Sequence, residues 1–322
     1  MLVSSFIKRN SMSKLTAYGG AGSATGANFL LELRNPSTSL GTTRVLVDCG
    51  MEQGIVADDH NRKKFEYDPS SVDVLFVTHA HIDHIGLIPK LYKEGFRGEI
   101  YSTSETKEIS ELLLADAAKI NNHDETPLYS LNDISGTMSL WKTLNYHEAL
   151  PRGGFKIEAY NAGHILGSAM IKFTSSQGKT MLFTGDLGNS PSILMPDREK
   201  VSGLDYLLIE SVYGDKNHEH RGEREEKFKR VVEESIARGG TLLIPAFSLE
   251  RTQIILYELN KLFESKQITS VPVYLDSPLA IKITEIYEKV KNLYNQESTT
   301  AARKDDIFKF SQLKETASVR DS

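Results

Sequence analysis

The segment THAHIDHIGL (78–87) places four side chains that can bind a metal ion within six positions: His79, His81, Asp83 and His84. His79 and His81 point to the same side of the chain and can share one ion. Asp83 and His84 fall at the first turn of the next helix and can hold a second ion about 3.5–4 Å away. Imidazole nitrogen suits zinc, and a carboxylate admits a second, harder ion. The alternative is a capped helix start with incidental histidines, but this density of ligand types favours a metal site.

Two later positions could complete such a site. His164 lies in the Gly-flanked segment NAGHILGSAM (161–170), and Asp186 follows an apolar strand in FTGDLGN (183–189). Taken alone, an Asp-Leu-Gly turn is typical of an ordinary strand exit. Metal sites on β-rich scaffolds collect at strand ends, so the six residues together predict the site more strongly than any one of them.

These side chains require strands and helices that hold them together. The segments RVLVDCG (44–50) and SVDVLFV (71–77) predict two strands, which end near Asp48 and directly before the histidines. The Gly-rich GGAGSATG (19–26) leads into a strand and not a helix, which predicts a hairpin rather than a phosphate-binding loop. Residues 125–150 carry no clear pattern. Further elements predicted by hydrophobic spacing are helices at 85–95 and 104–121 and strands at 155–163, 169–175, 179–186 and 204–211.

From Asn217 onward, strands and helices alternate along the sequence. This alternation predicts a parallel, doubly wound α/β sheet, and the change in character predicts a domain boundary near 205–215. The predicted elements are helices at 218–240, 249–265 and 278–294 and strands at 241–247 and 271–276.

Length and composition limit the class of protein. The 322 residues exceed what a single core comfortably holds, which predicts more than one domain. A net charge of −5 excludes a global basic field for nucleic acid but not a local basic groove. No apolar run approaches the ~18 residues of a membrane helix, so no membrane partner is expected. The single cysteine, Cys49, excludes an internal disulfide framework and a Cys-based zinc cluster, and a reducing, cytoplasmic location is the simplest interpretation.

HAHIDH (79–84) resembles the HxHxDH signature of the metallo-β-lactamase superfamily, and VLVDCG and the turns at His164 and Asp186 resemble its other motifs in order. The resemblance implies an αββα sandwich with two zinc ions, and it implies that Asp48 orients a ligand histidine. A true β-lactamase is disfavoured, because that branch has a cysteine where this chain has Asp186. The implied ligands are His79, His81 and His164 for one ion, Asp83 and His84 for the other, and Asp186 for both.

Three later segments resemble the β-CASP subgroup, the nucleic-acid-processing nucleases of that superfamily: IESVYGD (209–215), IPAFSLERTQ (244–253) and YLDSPLA (274–280). The resemblance implies an N-terminal extension (1–14), a hydrolase domain (15–210) and an incomplete doubly wound α/β, or β-CASP, domain (211–322). It also implies hydrolysis of RNA phosphodiester bonds by a hydroxide that two ions activate, with single-stranded RNA as the partner and a homodimer left open.

The same resemblance suggests roles for residues outside the ligand set. Asp83 and Asp186 would be catalytic, and Glu210 would assist proton transfer to the leaving oxygen; otherwise Glu210 is an exposed residue at a strand end. Ser248 and Arg251 could contact phosphates, since Arg offers a planar fork of donors. A helix cap and a solvated helix arginine explain these two residues equally well.

Members of the subgroup carry further histidine motifs after the inserted domain, whereas this chain has no histidine after His220. The sequence is therefore expected to be a truncated product or fragment, one ligand short at the second zinc site, with weak or absent nuclease activity. Two other functions are open. A small-molecule ester or thioester hydrolase would not need residues 205–294, and a non-catalytic subunit of an RNA-processing assembly would usually lose ligands within HxHxDH.

Overall fold

The computed structural model describes residues 13–34, 42–55, 57–121, 127–217 and 221–316. The chain forms two compact units: the first extends to Asn189 and includes Arg198–Glu210, and the second comprises Ser190–Asp197 and the chain from Ser211 onward. Within the described residues, none of the helices has the length and apolarity needed to span a bilayer.

The first unit contains a six-stranded sheet in which the strands follow one another in chain order. β1–β2–β3 are antiparallel, and β3–β4–β5–β6 are parallel. The Gly-rich segment joins the antiparallel strands β1 and β2, so the predicted hairpin is confirmed. The six strands are β1 (Lys14–Gly19), β2 (Asn28–Arg34), β3 (Thr42–Val47), β4 (Val74–Phe76), β5 (Glu99–Ser102) and β6 (Trp141–Thr143).

Helices occupy the connections between the parallel strands, because a parallel pair requires a crossover that packs back on the sheet. The helix predicted at 104–121 is confirmed, and a capping box between Ser130 and Asp133 begins another helix in the stretch without a clear pattern. Leu46 and Leu75 of the sheet share a core cluster with Ile88, Leu114 and others on the helices. The helices are α1 (Ala57–Arg62), α2 (Ile82–Ile85), α3 (Ile88–Lys93), α4 (Ser104–Asn121) and α5 (Leu131–Leu140).

A second, five-stranded sheet packs on the other face of the first. Phe76 of the first sheet meets Phe173 of the second edge-on, with ring centroids 5.6 Å apart, inside a continuous apolar layer. Its order is β11-β10-β9-β8-β7, and only the β10–β11 pair is parallel. The strands are β7 (Leu150–Arg152), β8 (Phe155–Asn161), β9 (Ala169–Ser175), β10 (Thr180–Phe183) and β11 (Tyr206–Leu208).

The second unit is mainly helical around a small core that includes Val232, Leu259 and Leu262. The segment Ser190–Asp197 belongs to this unit, since Asn295 Nδ2 donates to the carbonyl oxygens of Ser192 and Ile193 at 3.0 Å. The three helices predicted here are confirmed, each ending earlier than predicted, and residues 218–220 of the first lie outside the described residues. The elements are α6 (Arg224–Arg238), α7 (Arg251–Glu264), β12 (Val273–Leu275), α8 (Pro278–Lys289), α9 (Gln296–Lys304) and β13 (Leu313–Glu315).

The strand predicted at 241–247 is wrong, because this segment forms no regular element. Leu243 and Phe247 are 86% and 84% exposed. Among the described residues, the parallel sheet of the second unit consists of β12 and β13 alone, and neither pairs with this segment. A strand forms only where a neighbouring strand provides hydrogen-bond partners for its backbone groups. An apolar sequence does not by itself provide that neighbour.

Gly50 lies where the chain after β3 passes closest to α2. A Cβ at this position would overlap the carbonyl oxygen of Asp83. We expect Gly50→Ala to displace α2 and to lower the free energy of unfolding by about 1–3 kcal/mol, the usual effect of overpacking. Urea unfolding of the variant measures this effect. Gly240→Ala is the matched control, since no atom of the described residues lies within 4 Å of the place its methyl group would take; equal effects of the two substitutions would contradict the close packing at Gly50.

Candidate metal centre

Backbone hydrogen bonds hold α2 against the chain that leaves β3. Cys49 N–H donates to the carbonyl oxygen of His84 at 2.8 Å, and Met51 N–H donates to that of Ile82 at 3.0 Å. Ala27 N–H, from the end of the hairpin loop, donates to the carbonyl oxygen of Asp83 at 2.9 Å. The first turn of α2, which carries the predicted ligands, is therefore fixed by two neighbouring segments.

Asp48 lies at the end of β3 and directs a buried carboxylate behind this turn. Its φ of +59° is in the left-handed region, which aspartate tolerates better than most residues. One carboxylate oxygen, Oδ1, accepts from Thr78 N–H at 2.8 Å. The other, Oδ2, lies 2.8 Å from both Thr78 Oγ1 and His84 Nδ1. Asp48 thus holds one nitrogen of His84 and leaves the other, Nε2, facing away from it.

Three histidines and one aspartate form a compact group. His81 Nδ1 lies 3.0 Å from His79 Nε2 and 3.2 Å from His164 Nε2. Asp186 Oδ2 lies 3.6 Å from the Nε2 atoms of both His79 and His164. One potential ligand atom from each of the four residues lies within 4.8 Å of the other three. These four potential metal ligands therefore converge on one point.

A second group lies on the other side of the Asp186 carboxylate. Its Oδ1 atom is 3.3 Å from His84 Nε2, which in turn is 3.9 Å from Asp83 Oδ2. The two oxygens of Asp186 therefore face different sets of ligands, as a carboxylate that bridges two ions would.

Two turns of the second sheet supply His164 and Asp186, and they pack tightly on each other. The buried Ser168 hydroxyl accepts from the backbone N–H groups of His164 and Ile165 at 3.0 and 3.2 Å, which fixes the His164 turn. Gly188 N–H donates to the carbonyl oxygen of Ala162 at 2.9 Å, and any side chain at Gly188 would overlap the His164 turn. His164 and Asp186 are therefore placed as a pair.

Burial keeps three of the imidazoles neutral. Desolvation, together with the neighbouring histidines, lowers the pKa of His79 well below its ordinary value and that of His81 to about 3. Burial also lowers the pKa of His164, although Asp186 opposes the shift. A neutral imidazole has a free lone pair, which is the form that binds a metal ion.

His84 and the carboxylates around it behave differently. Burial opposes a charge on His84, but Asp48 and Asp186 outweigh it and raise its pKa to about 10. Burial likewise opposes the charge on Asp186, but the hydrogen bond and charge of His84 hold the pKa of Asp186 below its ordinary value. Burial raises the pKa of Asp83. Neutral imidazoles beside carboxylates form a donor set that suits divalent ions such as zinc.

All six predicted metal ligands lie in the first unit, and so do Asp48 and Glu210. Glu210 Oε1 lies 3.4 Å from the backbone N–H of Leu187, the residue after Asp186, and its own N–H donates to Thr184 Oγ1 at 3.2 Å. Ser248 and Arg251 lie in the second unit, before and at the first turn of α7. The roles assigned to all these residues stay predictions.

Sequence reasoning missed two buried hydroxyl residues that hold the ligands, Thr78 and Ser168. Each is 1% exposed and contacts the centre through side-chain hydrogen bonds. A signal was present at Thr78, because it is a polar residue between an apolar strand and the first histidine. Ser168 offered a weaker signal, as a serine beside a glycine is typical of any turn.

Comparison with known proteins identifies the chain's two parts. Residues 38–187 match the metallo-beta-lactamase superfamily domain, and residues 252–322 match the Beta-Casp domain. The chain is 34% identical over 284 residues to ribonuclease TTHA0252 of Thermus thermophilus, covering 88% of this chain and 63% of that protein. It is 33% identical over 281 residues to cleavage and polyadenylation specificity factor 73 of Drosophila melanogaster, covering 86% and 40%. It is 34% identical over 251 residues to endoribonuclease ysh1 of Schizosaccharomyces pombe, covering 76% and 33%.

A solved structure that the chain resembles is a metallo-β-lactamase with a HARLDQ motif from Cronobacter sakazakii, with a TM-score of 0.35 at 18% identity, covering 53% of this chain and 56% of that one. The two matched domains and the residues at the centre define a member of the metallo-β-lactamase superfamily, with an α/β fold. Its C-terminal part matches the Beta-Casp domain, and the relatives named above include a ribonuclease and an endoribonuclease. It spans 33–63% of the length of the three relatives named above.

The lowered pKa of His81 predicts how the metal-free protein responds to acid. Below pH 6.5 the unfolded chain protonates this histidine, whereas the folded protein does not until about pH 3. The unfolded state therefore binds more protons in this window, and the free energy of unfolding falls as the pH drops through it, by at most about 1.4 kcal/mol per pH unit from this residue. Urea unfolding in a chelator between pH 7 and 5 measures the slope. His81→Gln should make it shallower, and an unchanged slope would show that His81 is not held neutral.

Proposed function

We propose that the protein is a zinc-dependent ribonuclease that hydrolyses phosphodiester bonds of single-stranded RNA. One observation carries the proposal: the Asp186 carboxylate lies between the three-histidine group and the pair His84 and Asp83, at 3.6 and 3.3 Å from the nearest imidazole nitrogens. The names of the relatives, a ribonuclease and an endoribonuclease among them, support RNA as the substrate.

In this proposal, two divalent ions share the centre. Bound ions of this kind lower the pKa of water to generate a nucleophile and stabilise charge that develops on a phosphate. Zinc is favoured because most of the donors are imidazoles. The residues that would hold the ions are His79, His81 and His164 for the first, Asp83 and His84 for the second, and Asp186 for both.

The protein's own side chains prepare the centre for this chemistry. Burial holds His79, His81 and His164 in the neutral form, so their lone pairs are ready. His84 must release a proton before its Nε2 atom can bind, and Asp48 keeps the ring oriented while this happens. Glu210 lies beside the Asp186 turn, and we assign to it the transfer of a proton to the leaving oxygen.

Three finer assignments belong to the same proposal. Ser248 and the exposed Arg251 contact RNA phosphates, Arg251 through the planar fork of its guanidinium. The free, buried Cys49 supports a reducing, cytoplasmic location. A homodimer is supported by the edge strand β11, whose Tyr206 and Leu207 are 42% and 49% exposed.

Asp83→Ala separates the ribonuclease from its alternatives. The variant should keep the ion held by the three histidines, lose the second ion and lose at least about 100-fold in cleavage rate, because a two-ion centre needs both charges. Its affinity for RNA, measured by fluorescence anisotropy in a chelator, should stay within about twofold of the wild type, because the substitution removes no phosphate contact. Metal analysis and cleavage of a labelled single-stranded RNA complete the test.

The outcomes of that experiment differ for each function. Zinc and RNA binding without cleavage, when a chain that also contains the histidine motifs expected after the inserted domain is equally inactive, would indicate a non-catalytic subunit of an RNA-processing assembly. Cleavage of a small ester without RNA binding would indicate a small-molecule hydrolase. A variant that cleaves RNA as fast as the wild type would show that Asp83 is not a ligand of a catalytic ion.

Arg251→Gln tests the phosphate contact. Loss of one contact to a single strand should lower affinity about equally for different RNA sequences and reduce the slope of log K against log salt by about 0.7–1. Anisotropy titrations at several salt concentrations measure the slope. Arg238→Gln is the control. Arg238 is the last residue of α6, whereas Arg251 is the first residue of α7, and Arg238 donates to the carbonyl oxygen of Glu234. Equal slopes for Arg251→Gln and the wild type would contradict the assignment.

A further inference from the structure

We propose that Thr78 is a positioning residue that fixes the ring tautomer of His79 and connects the ligands of both ions to the single carboxylate of Asp48. The inference rests on the proposed metal centre and adds a residue that contacts no ion. Its evidence is the arrangement of hydrogen-bond donors and acceptors behind the centre.

The Thr78 hydroxyl lies among three partners in a buried position. Its Oγ1 atom is 2.8 Å from Asp48 Oδ2, 3.1 Å from His79 Nδ1 and 3.4 Å from His84 Nδ1. Thr78, Asp48 and His79 are each 1% exposed. The partners of this hydroxyl must therefore come from within the site.

The number of available hydrogens decides the direction of each bond. A carboxylate only accepts, and a threonine hydroxyl has a single hydrogen. The 2.8 Å contact with Asp48 therefore uses the hydrogen of Thr78, and Oγ1 can only accept from His79. It follows that His79 carries its hydrogen on Nδ1 and presents the lone pair of Nε2 to His81 and Asp186.

His84 is held in a similar way. Its Nδ1 atom lies 2.8 Å from Asp48 Oδ2 and must donate to it. Nε2 then faces Asp186 Oδ1. His79 and His84 belong to different ions in the proposed centre, yet Asp48 holds the Nδ1 side of both rings, that of His84 directly and that of His79 through the hydroxyl of Thr78.

The surroundings prevent Thr78 from turning away. Its carbonyl oxygen accepts from Ala169 N–H at 2.7 Å, and its N–H donates to Asp48 Oδ1 at 2.8 Å. Gly185, at φ +53°, leaves so little room that a Cβ there would lie 2.6 Å from Oγ1 of Thr78. The residue before Asp186 thus closes off the space around the Thr78 side chain.

Thr78→Val tests the proposal, because valine has nearly the same shape and lacks the hydroxyl. We expect zinc affinity, measured by competition with a chelator, to fall about 10–100-fold, the usual effect of removing a partner of a ligand histidine. Long-range ¹H–¹⁵N correlation spectra of ¹⁵N-histidine-labelled protein should show that His79 no longer holds a single Nδ1–H tautomer. Thr78→Ser keeps the hydroxyl and should retain both properties.

Thr137→Val is the matched control. Thr137 is fully buried in the same unit, and its hydroxyl has no hydrogen-bond partner among the described residues. The substitution should leave zinc affinity and the histidine spectra unchanged. If Thr78→Val does not fold, Thr78→Ala removes the same hydroxyl and should give the same loss.

The results distinguish this inference from the proposed function. Wild-type zinc affinity and an unchanged His79 tautomer in the folded Thr78→Val or Thr78→Ala protein would show that Thr78 has no positioning role. A wild type that binds no zinc would show that the proposed metal centre is wrong, and the tautomer spectra of the metal-free proteins would still decide the role of Thr78.

Discussion

The buried carboxylate of Asp48 is the constraint on which the centre depends. A charge removed from water must be matched by hydrogen-bond donors. Three donors reach it, from the backbone and hydroxyl of Thr78 and from the ring of His84. They can do so because β3 and β4 are parallel and in register at Val47 and Phe76, so the chain segments leaving the two strands run side by side. The sheet register thereby determines where the histidines start.

The centre forms where strand ends of the two sheets meet. The first sheet contributes the histidine segment after β4, and the second contributes the β8–β9 turn with His164 and the exit of β10 with Asp186. The apolar layer that contains Phe76 and Phe173 packs the two sheets together. The neutral imidazoles of His79, His81 and His164 are buried polar groups whose desolvation opposes folding. Their placement is therefore maintained by the core and by the buried hydroxyls of Thr78 and Ser168.

Much of the fold was predictable from local patterns. The helix at 104–121 and the strands at 44–50 and 169–175 carry strong periodicity, and the structure contains an element at each. Patterns failed where an element depends on a partner distant in the chain. Residues 241–247 are apolar enough for a buried strand, but no strand pairs with them in the part of the unit that the structure describes. The stretch 125–150 contains α5, which depends on packing more than on its own periodicity.

The sequence by itself determined the types of ligand and their order, because HAHIDH and the turns at His164 and Asp186 are visible as text. Tertiary structure alone decided that the two oxygens of Asp186 face different imidazoles, and that Asp48 and Thr78 lie within hydrogen-bond distance of His84 and His79 behind them. The physical reason is that hydrogen-bond direction depends on which donors and acceptors meet. Asp48 and Thr78 meet when β3 and β4 pair, and Asp186 reaches the histidines only after the two sheets have packed together.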